Sequence, residues 1–164
     1  MPDKIINVLI LCTGNSARSV MAEVLLNARG AGRFRAFSAG SRPTGRVNPY
    51  TVKTLEAAGL PIDGLRSKSW DEFARPDAPA LDVVVTVCDS AAGESCPVWP
   101  GRPIRAHWSF PDPAAHDGGE GEAMALFREI FGRIARRIDA LCALPPEALD
   151  PAVLGKELAR LAAD

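Results

Sequence analysis

Cys12 and Arg18 stand six positions apart in Cys12-Thr13-Gly14-Asn15-Ser16-Ala17-Arg18-Ser19, with only short side chains between them. A cysteine thiolate is a strong nucleophile, and a guanidinium can fork two N–H donors onto two oxygens of one anion. Short residues let successive backbone N–H groups converge on that anion, helped by the start of a helix. Gly14, and Asn15 as the second choice, can take the positive φ that such a nest requires. The same field is expected to lower the pKa of Cys12 and supply thiolate at neutral pH. Ser19 can donate a hydroxyl hydrogen bond to that thiolate, or simply cap the helix. The chemistry that this set suits is attack of Cys12 on a tetrahedral oxyanion.

Two further cysteines and one carboxylate stand elsewhere in the chain. Cys88 ends the apolar run Leu81 to Val87, and Cys96 follows eight positions later across small residues and a glycine. Closing so short a loop costs little entropy, although a bond between the two sulfurs has strict geometry. Zinc suits them poorly, because no Cys-x-x-Cys or paired His accompanies them. A pair of inert, buried thiols remains the plain alternative. Asp112-Pro113 can present an acid on a loop, and it is also a common turn dipeptide. Cys142 falls in an apolar helical pattern and reads as core, and His116 reads as surface. His107 beside Trp108 lines a cleft or ends a buried strand, and Asn15 with Glu23 could hold the loop or a cation behind it.

Those residues need a frame. The run Ile5 to Leu11 is almost continuously apolar, as a parallel strand buried on both faces must be. Ser19 to Arg29 reads as a helix ended by Gly30 and Gly32, and Phe34 to Ser38 as a short strand. A helix starts at Asn48-Pro49, a short one spans Ser67 to Phe73, and strands cover Leu81 to Val87 and Ile104 to His107. Glu120 to Leu144 and Asp150 to Ala163 complete the helices. Strands alternating with helices argue for an α/β sandwich on a parallel sheet, with ligands bound beyond the carboxyl ends of the strands.

The 164 residues suit one domain, and 47% hydrophobic with 24% charged residues is ordinary for a soluble protein. A net charge of −1 gives no global field toward nucleic acid or an anionic membrane. The apolar stretch near the N-terminus is too short for a signal peptide or a membrane span, so a reducing cytoplasm is expected. Four cysteines there are catalytic, redox-active or buried rather than structural disulfides.

The segment Cys12 to Glu23, CTGNSARSVMAE, resembles the phosphate loop of the low-molecular-weight protein tyrosine phosphatase superfamily, in details closer to its arsenate reductase branch. Ser38-Ala39-Gly40, Ser67-Lys68 and the stretch Asp82 to Ala114 extend the resemblance over most of residues 5 to 140. It implies a three-layer sandwich with a central four-stranded parallel sheet, in a single domain 1–164 whose residues 145–164 form a C-terminal helical extension. It also implies a relay in which Cys12 bonds arsenic, Cys88 attacks Cys12 and expels arsenite, and Cys96 takes over the disulfide for an external reductant. Thr13 to Ser19 would hold the arsenate or phosphate oxyanion, and Asp112 would protonate the leaving oxygen. The implied reductants are thioredoxin, or glutaredoxin with a low-molecular-weight thiol. No organic cofactor, metal, nucleic acid or membrane is expected, and the chain reads as a monomer or weak dimer. The phosphatase alternative uses Cys12, Arg18 and Asp112 alike but hydrolyses phosphotyrosine or aryl phosphates through phosphocysteine. Two departures stand out: Cys88 and Cys96 are one residue further apart than in the thioredoxin-linked members, and Ala114 stands where the phosphatases usually place Tyr.

Overall fold

An apolar run without polar alternation must be covered on both faces, and the first strand of this chain is. We describe residues 5–88, 99, 102–113 and 118–163 from a computed structural model. Strand β1 (Ile6–Leu11) lies inside a four-stranded parallel sheet of order β2-β1-β3-β4, with β2 at Phe34–Ala39, β3 at Val83–Thr86 and β4 at Ile104–His107. The helices are α1 (Arg18–Arg29), α2 (Pro49–Ala57), α3 (Glu120–Cys142) and α4 (Pro151–Ala162).

Alternate side chains of the strands go to opposite faces, and each face has its own apolar cluster. Val8, Ile10, Val83 and Val85 pack with Met21 and Leu25 of α1, Phe127, Ile134 and Ile138 of α3, and Leu154 and Leu158 of α4. Leu9, Leu11 and Val84 pack on the other side against Phe73, Leu81 and Trp99. Phe73 belongs to a single 3-10 turn, Trp70–Phe73, opened by Ser69, whose hydroxyl accepts from Asp71 N at 3.1 Å. The short helix expected over Ser67 to Phe73 is therefore only this turn, because its first residues pair with the cradle instead. The remaining expected elements occur with ends shifted by at most two residues, and Ile104–His107 is a strand with unchanged bounds. Pro49 and Pro151 stand at helix starts behind Asn48 and Asp150, whose side chains accept the N–H of Tyr50 and Ala152.

The sheet order sets the site. From β1 the chain moves outward to β2, then returns across to β3, so the carboxyl ends of β1 and β3 flank the point where the winding reverses. Leu11 pairs with Thr86, and Val87 N donates to Leu11 O at 2.9 Å. Cys12 and Cys88 therefore leave neighbouring strands side by side at the crevice where ligands bind in open α/β sheets. Among the described residues, no helix is long and apolar enough to cross a membrane.

Candidate active site

The loop after β1 is shaped by where its carbonyls go. Thr13 O accepts from Arg42 N at 3.0 Å, and Gly14 O from Thr44 N and Ser67 Oγ, both at 3.0 Å. Ser16 O accepts from Asn48 N at 3.0 Å and Thr51 Oγ1 at 2.8 Å. In a trans peptide the N–H points opposite to the C=O, and the chain has no cis bonds. Pulling these carbonyls outward therefore turns the N–H groups of Gly14, Asn15 and Ala17 inward, which makes the nest that an oxyanion needs. Gly40 permits the approach: a Cβ there would sit 2.4 Å from Thr13 O and 2.6 Å from Cys12 O.

Asn15 takes the left-handed conformation, with φ of 46°, and Gly14 does not. The expectation for Gly14 is thus corrected in favour of Asn15, whose side chain is fully buried and tied down on both sides. Its Nδ2 donates to Ser19 Oγ at 2.8 Å and to Ser38 Oγ at 3.0 Å, while its Oδ1 accepts from Lys68 N at 2.9 Å. A glycine at this position would supply the conformation but none of these anchors. Of the two roles expected for Ser19 the helix cap is corrected, since the residue before α1 is Ala17, with no side-chain cap; the buried Ser19 Oγ accepts from Asn15 instead. Behind Asn15, Ser38 Oγ donates to Glu23 Oε1 at 2.6 Å, and Lys68 Nζ lies 3.7 Å from the same oxygen. The positive charge facing Glu23 comes from the chain itself, and burial pushes the Lys68 ammonium down against the opposing pull of Glu23.

Arg18 is largely buried, with Nη1 donating to Phe110 O at 2.9 Å and Nη2 lying 3.6 Å from Asp112 Oδ2. Its buried Nε has no hydrogen-bond partner among the described residues. A buried donor without an acceptor costs roughly 1–3 kcal/mol, and an anion in the nest would relieve that. Asp112 is brought over the nest because its loop continues β4 alongside β3: Trp108 N donates to Thr86 O at 2.8 Å and Phe110 N to Val87 O at 3.3 Å. Trp108 Nε1 anchors the loop to Leu158 O of α4 at 3.0 Å.

Cys88 meets the nest directly. Thr13 N donates to Cys88 Sγ at 3.4 Å, and Thr13 Oγ1 lies 3.7 Å from it. Cys12 and Cys88 are both buried and lie close enough that the Cys88 thiol is the largest influence on the ionisation of Cys12. That neighbour, and then burial, raises the Cys12 thiol above the ordinary cysteine range, whereas Arg18 lowers it. The expected lowering of Cys12 is therefore only the arginine's share, and the neighbouring thiol outweighs it. Thr13, Gly14, Asn15, Ser16, Ala17, Arg18 and Ser19 all take part in the cradle or its support; Cys96, Ala114 and His116 lie outside the described residues. Cys142 is half-buried on α3, and His107 Nδ1 meets Thr86 Oγ1 at 2.7 Å. Among the described residues, no group of three His, Cys, Asp or Glu could hold a metal ion.

Sequence reasoning assigned no role to Ser38, Gly40, Ser67 or Lys68. They come from separate elements, and the available signal was Ser38-Ala39-Gly40 at a strand end, where a glycine marks close backbone approach.

Residues 7–157 match the family model described as Low molecular weight phosphotyrosine protein phosphatase. An arsenate reductase of Bacillus subtilis is 38% identical over 138 residues, which are 84% of this chain and 94% of that protein. A glutaredoxin arsenate reductase of Synechocystis is 30% identical over 136 residues, 83% of this chain and 95% of its own. A solved structure of an arsenate reductase in the phosphate binding state superposes with a TM-score of 0.68 and 29% identity, covering 85% of this chain and 98% of its own.

Two outcomes follow from this geometry. Asn15→Ala removes three anchors and strains the left-handed backbone, so urea unfolding should show a loss of about 3 kcal/mol, with Asn15→Gly recovering the backbone share. Equal stabilities for Asn15→Ala and wild type would contradict the role given to Asn15. Cys88→Ala removes the largest influence raising the Cys12 thiol, so the midpoint of Cys12 alkylation by iodoacetamide should move to lower pH than in wild type. An unmoved or higher midpoint would refute the neighbouring thiol as the cause.

Proposed function

The chain belongs to the low molecular weight phosphotyrosine protein phosphatase family, and we propose that within it the chain is an arsenate reductase working through a relay of Cys12, Cys88 and Cys96. The observation that carries this reading is the second thiol: Cys88 Sγ lies against the nest at Thr13 N, 3.4 Å away, and close to Cys12. Hydrolysis of phosphocysteine uses water and has no need of that thiol. The relatives named arsenate reductase support the same choice.

In the proposed sequence, the inward N–H groups and Arg18 bind arsenate, and the Cys12 thiolate attacks arsenic. One arsenate oxygen leaves as water, with the proton coming from Asp112. The Cys88 thiolate then attacks the Cys12 sulfur. The sulfur–arsenic bond breaks, its electron pair goes to arsenic, and arsenite leaves behind a Cys12–Cys88 disulfide. Cys96 attacks the Cys88 sulfur and expels the Cys12 thiolate, and a thioredoxin, or glutaredoxin with a small thiol, reduces the Cys88–Cys96 disulfide. The role of Cys96 rests on its position in the sequence. Thiols must be kept reduced between turnovers, which fits a cytoplasmic enzyme.

Cys12→Ser should abolish both arsenate reduction and aryl phosphate hydrolysis. Cys88→Ser and Cys96→Ser should each lose arsenate turnover by about a hundredfold or more with a protein reductant, yet hydrolyse aryl phosphate near the wild-type rate. Undiminished arsenate turnover in both variants would remove the relay, and brisk phosphatase activity without arsenite would make the chain a phosphatase.

A further inference from the structure

Beside the loop that carries Asp112, α3 presents Arg133, Arg136, Arg137 and Ala140 at spacings of three and four, so the four share one stripe of the helix. Ser109 and Phe110 stand opposite, and these six residues line one cleft. The Arg137 guanidinium lies over the Trp108 and Phe110 rings, 5.6 and 5.1 Å from their centroids, so its plane is held by stacking. Arg133 meets Glu129 at 3.0 Å in an exposed pair, a contact of little worth that another carboxylate can replace. Three guanidinium groups and a hydroxyl around one concavity select an anion with more than one acceptor group.

Phe110 links this cleft to the reaction centre. Its ring lies under Arg137, its carbonyl accepts from Arg18, and Asp112, two residues further on, is ion-paired with Arg18. A ligand seated among the arginines would therefore lie against the same short loop that covers the nest. We propose that the cleft binds the carboxylates of a low-molecular-weight peptide thiol of the glutathione class, whose thiolate attacks one sulfur of the Cys88–Cys96 disulfide and releases the other as a thiolate; a second such thiol then attacks the peptide sulfur of the mixed disulfide, freeing the remaining cysteine as a thiolate and leaving as the oxidised peptide disulfide. The inference rests on the reductase reading. The two carboxylates of such a tripeptide suit three guanidinium groups, of which Arg133 and Arg137 stand about one helical turn apart, and a concave site favours a small molecule over a protein face. Small neutral thiols gain nothing from the same charges.

The test is the pair Arg133→Glu and Arg136→Glu combined in the full chain, beside the doubly conservative Lys variant. With glutathione as electron donor, KM should rise about tenfold or more in the Glu variant, be largely restored in the Lys variant, and leave kcat little changed. With dithiothreitol, which carries no charge, arsenate turnover should equal that of wild type. Calorimetry with S-methylglutathione, which cannot reduce anything, reads the cleft separately from the reaction: wild type should bind it, more weakly as salt is raised, and the Glu variant should not. An unchanged glutathione KM, an equal loss with dithiothreitol, or no S-methylglutathione binding by wild type would overturn the proposal. Loss of thioredoxin-driven turnover alone would overturn it too, and would assign the face to an acidic protein. A wild type that binds S-methylglutathione but reduces no arsenate with dithiothreitol would leave the cleft in place while refuting the reductase reading.

Discussion

The outward hydrogen bonding of three loop carbonyls is the constraint on which the site depends. Thr13, Gly14 and Ser16 each give up their C=O to donors from residues 42–51 and from Ser67, and planar peptides then send the intervening N–H groups inward. A short loop cannot hold such an arrangement by itself, since backbone donors brought together repel one another. The cost is met by the scaffold: Gly40 lets the end of β2 approach, Asn15 holds the left-handed turn, and Lys68 supports Asn15 through its backbone N–H. The nest is thus prepared before any anion arrives, which is what electrostatic stabilisation of a reacting oxyanion requires.

Thiol placement follows from strand order. Because β1 and β3 are neighbours in register, the residues just past their ends are brought together without any loop having to reach. Cys12 and Cys88 raise a tension: their closeness opposes formation of the Cys12 thiolate, while Arg18 and the nest favour it. Thr13 eases that tension from the other side, since its N–H and hydroxyl both approach the Cys88 sulfur. A pair of thiols in this arrangement is suited to pass one proton and one bond between them, where a lone nucleophile would be better served by an isolated thiolate.

Much of this was legible in the sequence, and the rest was hidden for identifiable reasons. The buried strands were visible because Ile5 to Leu11 and Leu81 to Val87 carry almost no polar alternation. The Cys12 to Arg18 cradle was visible because its residue types leave little other use for the spacing. Asn15 in place of Gly14 was not, because the left-handed turn is decided by hydrogen bonds to Ser19, Ser38 and Lys68, which lie far apart along the chain. The raised Cys12 thiol was hidden for the same kind of reason, since it depends on a neighbour 76 positions away that only the sheet order supplies. The second face of the sheet also read as more helical than it is, because Ser67 and Lys68 serve the cradle and leave only Trp70–Phe73 to turn.

The central claim is that one arsenate is reduced by the protein's own thiols. The direct measurement is a single turnover of the fully reduced protein with arsenate and no external reductant, followed by arsenite assay and disulfide mapping by mass spectrometry. The account predicts about one arsenite per chain, with a Cys88–Cys96 disulfide in wild type and a Cys12–Cys88 disulfide when Cys96 is replaced by Ser. No arsenite, with all four thiols still reduced, would contradict it.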